Sequence, residues 1–150
     1  MEQICIRQAH YGDIDRVAVL FDSYRQFYVQ KTNISAAAEF LRQRFEYGES
    51  VIFIAEQGEQ AIGFVQLYPS FSSISMKRIY ILNDLFVHPD ARGRKIGGQL
   101  LSAAIEYAKS MKVARLVLST AVSNVIAQGL YEGTGWVRDT EYYHYEYQLG

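Results

Sequence analysis

The sequence has a single cysteine and a net charge close to zero, and each of these features excludes a class of protein. Cys5 is the only cysteine among 150 residues, so no disulfide can form within the chain. No spacing of Cys, His, Asp and Glu matches a zinc or iron site, and we expect no metal. The formal net charge is −1, which gives no overall attraction to nucleic acid or to an anionic membrane.

Long apolar runs and the common nucleotide-binding patterns are also missing. No apolar run approaches the roughly 20 residues of a membrane span, and no hydrophobic signal region opens the chain, so we expect a cytoplasmic protein with no membrane partner. The absence of P-loop and Gly-x-Gly-x-x-Gly patterns disfavours ATPase and dehydrogenase functions. With 49% hydrophobic residues, the chain is predicted to form one domain over residues 1–150.

The spacing of apolar residues predicts a mixed α/β fold. The predicted strands cover residues 3–8, 50–55, 61–68, 77–87 and 113–119, with one or two closing strands in 136–147. The predicted helices follow an N-cap at Asp13, cover 33–47, begin near Ile96, and cover 124–132. Gly58 lies in the turn of a hairpin, and serine-rich residues 69–76 are predicted to be a loop. Cys5 is expected to be buried in the first strand, and 113–119 is expected to be a central buried strand.

A basic turn precedes the third helix, at residues 92–95. Because a helix N-terminus carries roughly half a positive charge, acidic residues are normally favoured there. Here the turn carries Arg92, Arg94 and Lys95. Gly97 and Gly98 then occupy the first turn of the helix, where glycine costs about 1 kcal/mol against alanine but lets a ligand approach the backbone closely. The combination predicts a phosphate or pyrophosphate site, with a solvated basic loop as the alternative.

Two motifs in the second half of the chain resemble those of the GNAT superfamily of acetyl-CoA-dependent N-acetyltransferases. The first is the pyrophosphate signature Arg or Gln, two variable residues, Gly, one variable residue, Gly or Ala, which stands here as residues 92–97 with Lys95 in place of the internal Gly. The second is Asn-x-x-Ala-x-x-x-Tyr-x-x-x-Gly-aromatic, which matches Asn124, Ala127, Tyr131, Gly135 and Trp136. The resemblance covers roughly residues 80–137.

This resemblance implies a mostly antiparallel mixed sheet with a splayed strand pair, flanked by about four helices, and acetyl-CoA as co-substrate. The pantetheine arm would lie between strands equivalent to 82–87 and 117–120. The implied cofactor-binding residues are Leu85, Phe86, Val87, Arg92, Gly93, Arg94, Lys95, Ile96, Gly97, Gly98, Asn124, Ala127 and Tyr131. A homodimer is also implied, and the acceptor would be a small-molecule or peptide amine.

Two residues are candidates for proton transfer. The position of Tyr131 in the motif implies a general acid that protonates the departing CoA thiolate, and a phenol is protonated at neutral pH. The alternative is ordinary helix packing by one of 12 tyrosines. Asp84 is the first candidate for the general base and Glu56 the second. Either carboxylate is alternatively a solvated group at a strand end.

Tyr24 and Tyr28 on the first helix are candidates for the acceptor site, because aromatic faces suit a cationic amine. The alternative is that both belong to the apolar stripe of that helix. The sequence therefore predicts transfer of an acetyl group from acetyl-CoA to a primary amine, with a polyamine or amino acid favoured and a protein lysine or N-terminus as other acceptors. A non-enzymatic domain that binds or senses acyl-CoA is the alternative function.

Overall fold

The computed structural model describes residues 3–150. These residues form two compact units, residues 3–119 and residues 120–150. The first unit contains a five-stranded sheet with three α-helices and two short 3-10 helices, and the second contains one α-helix. Within residues 3–150, no helix is long and apolar enough to cross a membrane.

The sheet of the first unit has its strands in chain order. The strands are β1 (Ile4–Gln8), β2 (Val51–Gln57), β3 (Gln60–Ser72), β4 (Lys77–Val87) and β5 (Leu116–Val117). β1 to β4 pair antiparallel, and β5 pairs parallel to β4 at the edge of the described sheet. The mixed, mostly antiparallel sheet that the sequence predicts is therefore confirmed.

Helices cover both faces of this sheet. The helices α1 (Ile14–Phe27) and α2 (Ile34–Glu46) pack together on one face, where their buried residues join those of β2 and β3 in one apolar cluster. The helix α3 (Ile96–Ser110) packs on the other face, where Tyr107 contacts Phe53 and Tyr80. The fourth helix, α4 (Val125–Gly133), belongs to the second unit. Four α-helices within residues 3–150 agree with the prediction.

Asp13 does not cap α1 with its side chain, contrary to the sequence prediction. Asp13 is only 3% exposed, and its carboxylate accepts hydrogen bonds from Arg7 at 2.9 and 2.8 Å and from Arg16 at 2.8 Å. Glu56 on β2 binds the same two guanidinium groups at 2.7 Å each. This four-residue ion network ties β1, α1 and β2 together, and hydrogen bonding from Arg7 holds the pKa of Asp13 below its ordinary range.

The serine-rich segment 69–76 is not the predicted loop. β3 continues to Ser72, and its last residues pair with the start of β4, leaving only the turn 73–76. Pro69 is tolerated in this strand because β2 pairs with β3 only as far as Leu67, so the rest of β3 has an open edge. Pairing with β4 therefore outweighs the weak strand propensity of the serines.

Strand β5 is shorter and more exposed than predicted. Only Leu116 and Val117 pair with β4, both are half-buried, and the strand lies at the edge of the sheet rather than in its centre. Cys5 is also exposed rather than buried, because β1 forms the opposite edge. Alternation of apolar residues marks strands, but it does not reveal which strands lack a neighbour on one side.

The second unit contains α4 and no strand within residues 120–150, so the predicted closing strands over 136–147 are not formed. Tyr143, Tyr145 and Tyr147 share one face of the predicted alternation, and all three are exposed. A strand needs a paired neighbour to satisfy its backbone, and alternation alone does not supply one.

Candidate functional site

A bulge in β4 determines the direction of Asp84. Gln66 pairs with Asp84 and the next residue, Leu67, pairs with Leu82, so Asn83 has no partner on β3. Tyr80 contacts α3 on one face of the sheet. Without the bulge, Asp84 would share that face, because residues an even number apart point the same way in a strand. With the bulge, Asp84 turns toward the face covered by α1 and α2.

The Asp84 carboxylate is buried without a cation. The residue is 3% exposed, and no Lys, Arg or His lies within ion-pair distance of it in the described part of the chain. Gln66 Nε2 donates to Oδ2 at 2.6 Å and Asn83 Nδ2 donates to Oδ1 at 3.1 Å. Burial raises the pKa of Asp84 above its ordinary value, and these hydrogen bonds oppose the rise.

Aromatic side chains form a cavity of about 330 Å³ in which Asp84 is one lining residue. The aromatic members are Phe21, Tyr24, Tyr28, Phe40 and Tyr68, and the polar members are Arg25, Gln30, Asn83 and Asp84. Tyr24 and Tyr28 are close, with ring centroids 5.1 Å apart. The predicted acceptor residues and the predicted base therefore line one cavity.

Two phenols of this cavity are held in the protonated form. Burial raises the pKa of Tyr24 above its ordinary value, and the charge of Asp84 raises it further. Burial and the charge of Asp84 likewise raise the pKa of Tyr68, whose oxygen accepts from Gln66 Nε2 at 3.0 Å. Tyr24 Oη donates to the Asn83 carbonyl at 3.3 Å. The cavity thus offers one carboxylate, one guanidinium, neutral hydroxyl groups and aromatic faces. The carboxylate and the aromatic faces suit a cationic amine.

The start of α3 presents unpaired backbone N–H groups. Lys95 occupies the N-cap position in the left-handed conformation, with φ +61°, and no side chain caps the helix. The structure gives no acceptor for the amides of residues 93–98 within the chain it describes. Gly93 also has a positive φ of +80°, which glycine adopts readily. A row of free amides at the positive end of a helix is an anion site.

The cations of this turn differ in how they are held. Arg92 Nε donates to the Val87 carbonyl at 3.0 Å, and its guanidinium lies 5.6 Å from the centroid of the Phe86 ring. Arg94 makes only 3.4 Å hydrogen bonds to Gln57, and its side chain is exposed, as is that of Lys95. The Arg92 side chain is therefore held against the end of β4, whereas those of Arg94 and Lys95 are available to an anion.

Two glycines lie at the start of α3, Gly63 on the adjacent strand β3 and Gly98 in the helix itself, and the space around them differs. A Cβ added at Gly98 would meet no atom within 4 Å, so the protein itself does not require glycine there. A Cβ added at Gly63 would lie 3.1 Å from the Phe86 carbonyl oxygen and 3.3 Å from Leu100. Gly63 therefore lets the first turn of α3 lie close to the sheet, and the role of Gly98 toward a ligand stays a prediction.

The edge of β4 opens beside this turn. β5 pairs with β4 only at Tyr80 and Ile81, and no strand in the described chain pairs with the same edge over residues 82–87. The predicted cofactor residues Leu85, Phe86 and Val87 lie in this stretch. The ring of Phe86 packs into the apolar cluster with α1 and α2, so only its backbone can serve a ligand at the edge.

The second unit carries the other predicted residues. Asn124 caps α4 by accepting from the Ala127 amide at 3.1 Å. The Tyr131 ring lies 6.0 Å from the Trp136 ring, between centroids, and the Tyr131 carbonyl accepts from the Trp136 amide at 3.0 Å. The motif thus organises α4 and the turn after it. The roles of Asn124, Ala127 and Tyr131 toward a ligand stay predictions.

The ionic contacts of Glu56 exclude it as the second candidate for the base. Hydrogen bonding from Arg7 and Arg16 lowers the pKa of Glu56 below its ordinary value, so the carboxylate is a poor proton acceptor at neutral pH. Among residues 3–150, no group of three or more His, Cys, Asp and Glu side chains is placed to hold a metal ion.

Sequence reasoning missed Gln66, Tyr68 and Gly63. All three lie on β3, where the sequence shows only an apolar strand, and Gln66 is fully buried. A polar residue within such a run was the one available signal, because a buried amide needs partners.

Comparison with known proteins gives one family. Residues 17–136 match the family described as acetyltransferase (GNAT) family. The chain is 52% identical over 140 residues to an uncharacterized N-acetyltransferase, YhfO, of Bacillus subtilis, with 93% of this chain and 94% of that protein covered. It is 27% identical to a thialysine N-epsilon-acetyltransferase of Bos taurus, with 90% and 85% covered.

One solved structure resembles this chain over nearly its whole length. The crystal structure of a probable acetyltransferase superposes with a TM-score of 0.92 at 38% identity, with 97% of this chain and 98% of that chain covered.

Proposed function

The chain belongs to the acetyltransferase (GNAT) family and is an acyltransferase, and from that premise we propose that it transfers an acetyl group from acetyl-CoA to a small primary amine bound in the aromatic cavity. The observation that carries this proposal is the buried, cation-free carboxylate of Asp84 in the lining of that cavity. A protonated amine supplies the missing positive charge. The bovine relative, by its name an acetyltransferase for the N-ε position of thialysine, supports a small amine as acceptor.

The residues beside α3 fit acetyl-CoA. The unpaired amides of residues 93–98, with Arg94 and Lys95, would hold the pyrophosphate, and the open edge of β4 over residues 85–87 would pair with the pantetheine arm. When bound, acetyl-CoA supplies a thioester whose carbonyl carbon is open to attack by an amine. A backbone N–H near Leu85 or Phe86 would stabilise the negative charge that develops on the carbonyl oxygen.

Asp84 would act as the general base. An ammonium group has to lose a proton before its nitrogen can attack, and the Asp84 carboxylate would accept that proton. Burial raises the pKa of Asp84, which makes it a better base at neutral pH than an exposed carboxylate. The nitrogen then bonds to the carbonyl carbon, the carbon–sulfur bond breaks, and Tyr131 Oη would donate a proton to the thiolate. The second proton of the attacking nitrogen would pass to solvent, from which Tyr131 regains its own.

The test compares Asp84→Asn with Asp15→Asn, a control that alters an exposed carboxylate on α1. Release of CoA thiol is measured over a panel of polyamines, amino acids, aminoglycosides and lysine peptides. Asp84→Asn should lower kcat by about 10²-fold or more and leave the calorimetric affinity for CoA unchanged. Full activity of Asp84→Asn would remove Asp84 from the mechanism.

The panel also separates the enzyme from the alternative of a non-enzymatic acyl-CoA sensor. Tight CoA binding without thiol release on any amine would favour the sensor. The homodimer that the family resemblance implies stays a prediction, and so does the cytoplasmic location that the sequence pattern predicts. Sedimentation of the purified chain tests the first, and fractionation of cells tests the second.

A further inference from the structure

The aromatic cavity contains a second unpaired charge, that of Arg25. Arg25 lies in the last turn of α1 and is half-buried, and it lines the same cavity as Asp84. Its guanidinium makes no hydrogen bond or ion pair with any side chain that the structure describes in residues 3–150. The cavity therefore holds one unpaired carboxylate and one unpaired guanidinium.

The nearby carboxylate of Asp22 is not an ion-pair partner of Arg25. Asp22 already accepts from Gln26 Nε2 at 2.9 Å, from Thr32 Oγ1 at 2.6 Å and from the Asn33 amide at 2.7 Å. These bonds satisfy the buried carboxylate and tie the end of α1 to the start of α2. Arg25 adds only a longer-range charge interaction to this group.

Arg44 provides a contrast in the adjoining cavity, which shares Phe40 and Tyr68 with the first. Arg44 Nε binds Glu49 at 3.1 Å, and the guanidinium lies 5.0 Å from the centroid of the Phe40 ring. The charge of Arg44 is therefore balanced within the protein. Arg25 forms no such ion pair with the residues that the structure describes, and its charge interacts with that of Asp22 only at longer range.

We propose that the acceptor is an amino-carboxylate, that is, a small molecule with both a primary amine and a carboxylate, and that Arg25 binds the carboxylate while Asp84 receives the amine. The inference rests on the proposed function and names its substrate class. Guanidinium groups bind carboxylates through paired N–H donors, which gives geometric selection as well as charge. An acceptor of this kind neutralises both unpaired groups of the cavity at once.

Matched pairs of amines test this assignment. The pairs are ω-amino acids of three to six carbons against the alkylamines left when the carboxylate is removed, and lysine against lysine methyl ester. The variants are Arg25→Gln, the conservative Arg25→Lys, and Arg42→Gln as a control, a half-buried arginine of α2 that pairs with Asp15 and does not line the cavity. The ratio of kcat/KM within each pair is measured by CoA thiol release, with kcat and KM resolved separately.

The wild-type protein should prefer the carboxylate member of at least one pair by roughly ten- to a hundredfold, mainly through a lower KM. Arg25→Gln should abolish this preference by raising KM for the carboxylate member of each pair toward that of the alkylamine, Arg25→Lys should retain part of the preference, and Arg42→Gln should retain all of it. Acetylation of alkylamines with no preference, or a preference that survives Arg25→Gln, overturns the inference alone. Acetylation of no amine in either class contradicts the proposed function as well.

Discussion

Gln66 Nε2 donates a 2.6 Å hydrogen bond to Asp84 Oδ2 across β3 and β4, and both side chains are buried. Ser50 Oγ donates to Gln66 Oε1 at 2.6 Å. Because the amide oxygen faces Ser50, the amide nitrogen is held toward Asp84. The Gln66 amide therefore orients the carboxylate and favours its charged form, while burial acts in the opposite direction.

Replacement of Gln66 by methionine should shift the pH dependence of acetyl transfer. The hydrogen bond from Gln66 favours ionised Asp84, so its loss raises the pKa of Asp84 further and makes the base less available at low pH. The acid limb of kcat/KM against pH should move to higher pH, with activity on that limb roughly tenfold lower. Gln99→Met on the exposed side of α3 is the control. A limb that does not move means that another group controls it.

Replacement of Gly98 by alanine should separate stability from cofactor binding. A Cβ at this position meets no atom within 4 Å, and alanine is favoured over glycine in a helix by about 1 kcal/mol, so the variant should be more stable by up to about that amount. The added methyl group would lie beside the amides of the first turn and should weaken CoA binding by about tenfold. Urea denaturation and calorimetry measure the two effects. Unchanged CoA affinity would show that the ligand does not approach Gly98.

Replacement of Tyr131 by phenylalanine tests the proposed general acid. Without the hydroxyl group the departing thiolate has no proton donor at this position, so kcat should fall by about 10²-fold, whereas CoA affinity should stay within a few-fold of wild type. Tyr143→Phe, which alters an exposed tyrosine of the same unit, is the control. Equal kcat for Tyr131→Phe and wild type would leave Tyr131 with a packing role beside Trp136.

The sequence predicted the local elements well because their signals are local. Asn33 caps α2 by accepting from the Ala36 amide, and Gly58 forms the β2–β3 turn with a positive φ of +62°. The basic turn before α3 was likewise recognisable, because its cations violate the usual charge preference of a helix start. At these positions the residue type determines the backbone conformation locally, without contacts from distant parts of the chain.

The candidate acceptor site was only half predictable, because its geometry depends on pairing between distant residues. Asp84 and Tyr24 were identified, but the bulge at Asn83 that turns Asp84 toward α1 exists only in the register of β4 against β3. The roles of Gln66 and Arg25 likewise depend on which groups they face in the folded chain. Strand register and the pairing of charged groups depend on tertiary structure, and hydrophobic periodicity does not encode them.

The ion network around Asp13 predicts how stability depends on pH. Hydrogen bonds from Arg7 lower the pKa of Asp13, and contacts with the same guanidinium lower that of Glu56. A carboxylate with a lowered pKa in the folded state stabilises the fold above its unfolded pKa, near 4, and this contribution is lost as the pH falls through the folded value. The free energy of unfolding should therefore decrease as the solution is acidified below about pH 4.

Removal of this carboxylate should destabilise the first unit without changing the chemistry of the cavity. Asp13→Ala leaves two arginines with Glu56 alone and should cost about 2–4 kcal/mol at pH 7, a range that allows for their partial exposure. The control Asp15→Ala removes an exposed carboxylate and should cost within about 0.5 kcal/mol. Urea denaturation at pH 7 and pH 3 should show the Asp13→Ala deficit shrinking at the lower pH, because the unfolded wild-type chain gains a proton on Asp13 below its unfolded pKa, near 4, whereas the folded carboxylate stays charged. A deficit of equal size at both values would mean that the carboxylate stabilises the fold through packing rather than through its charge.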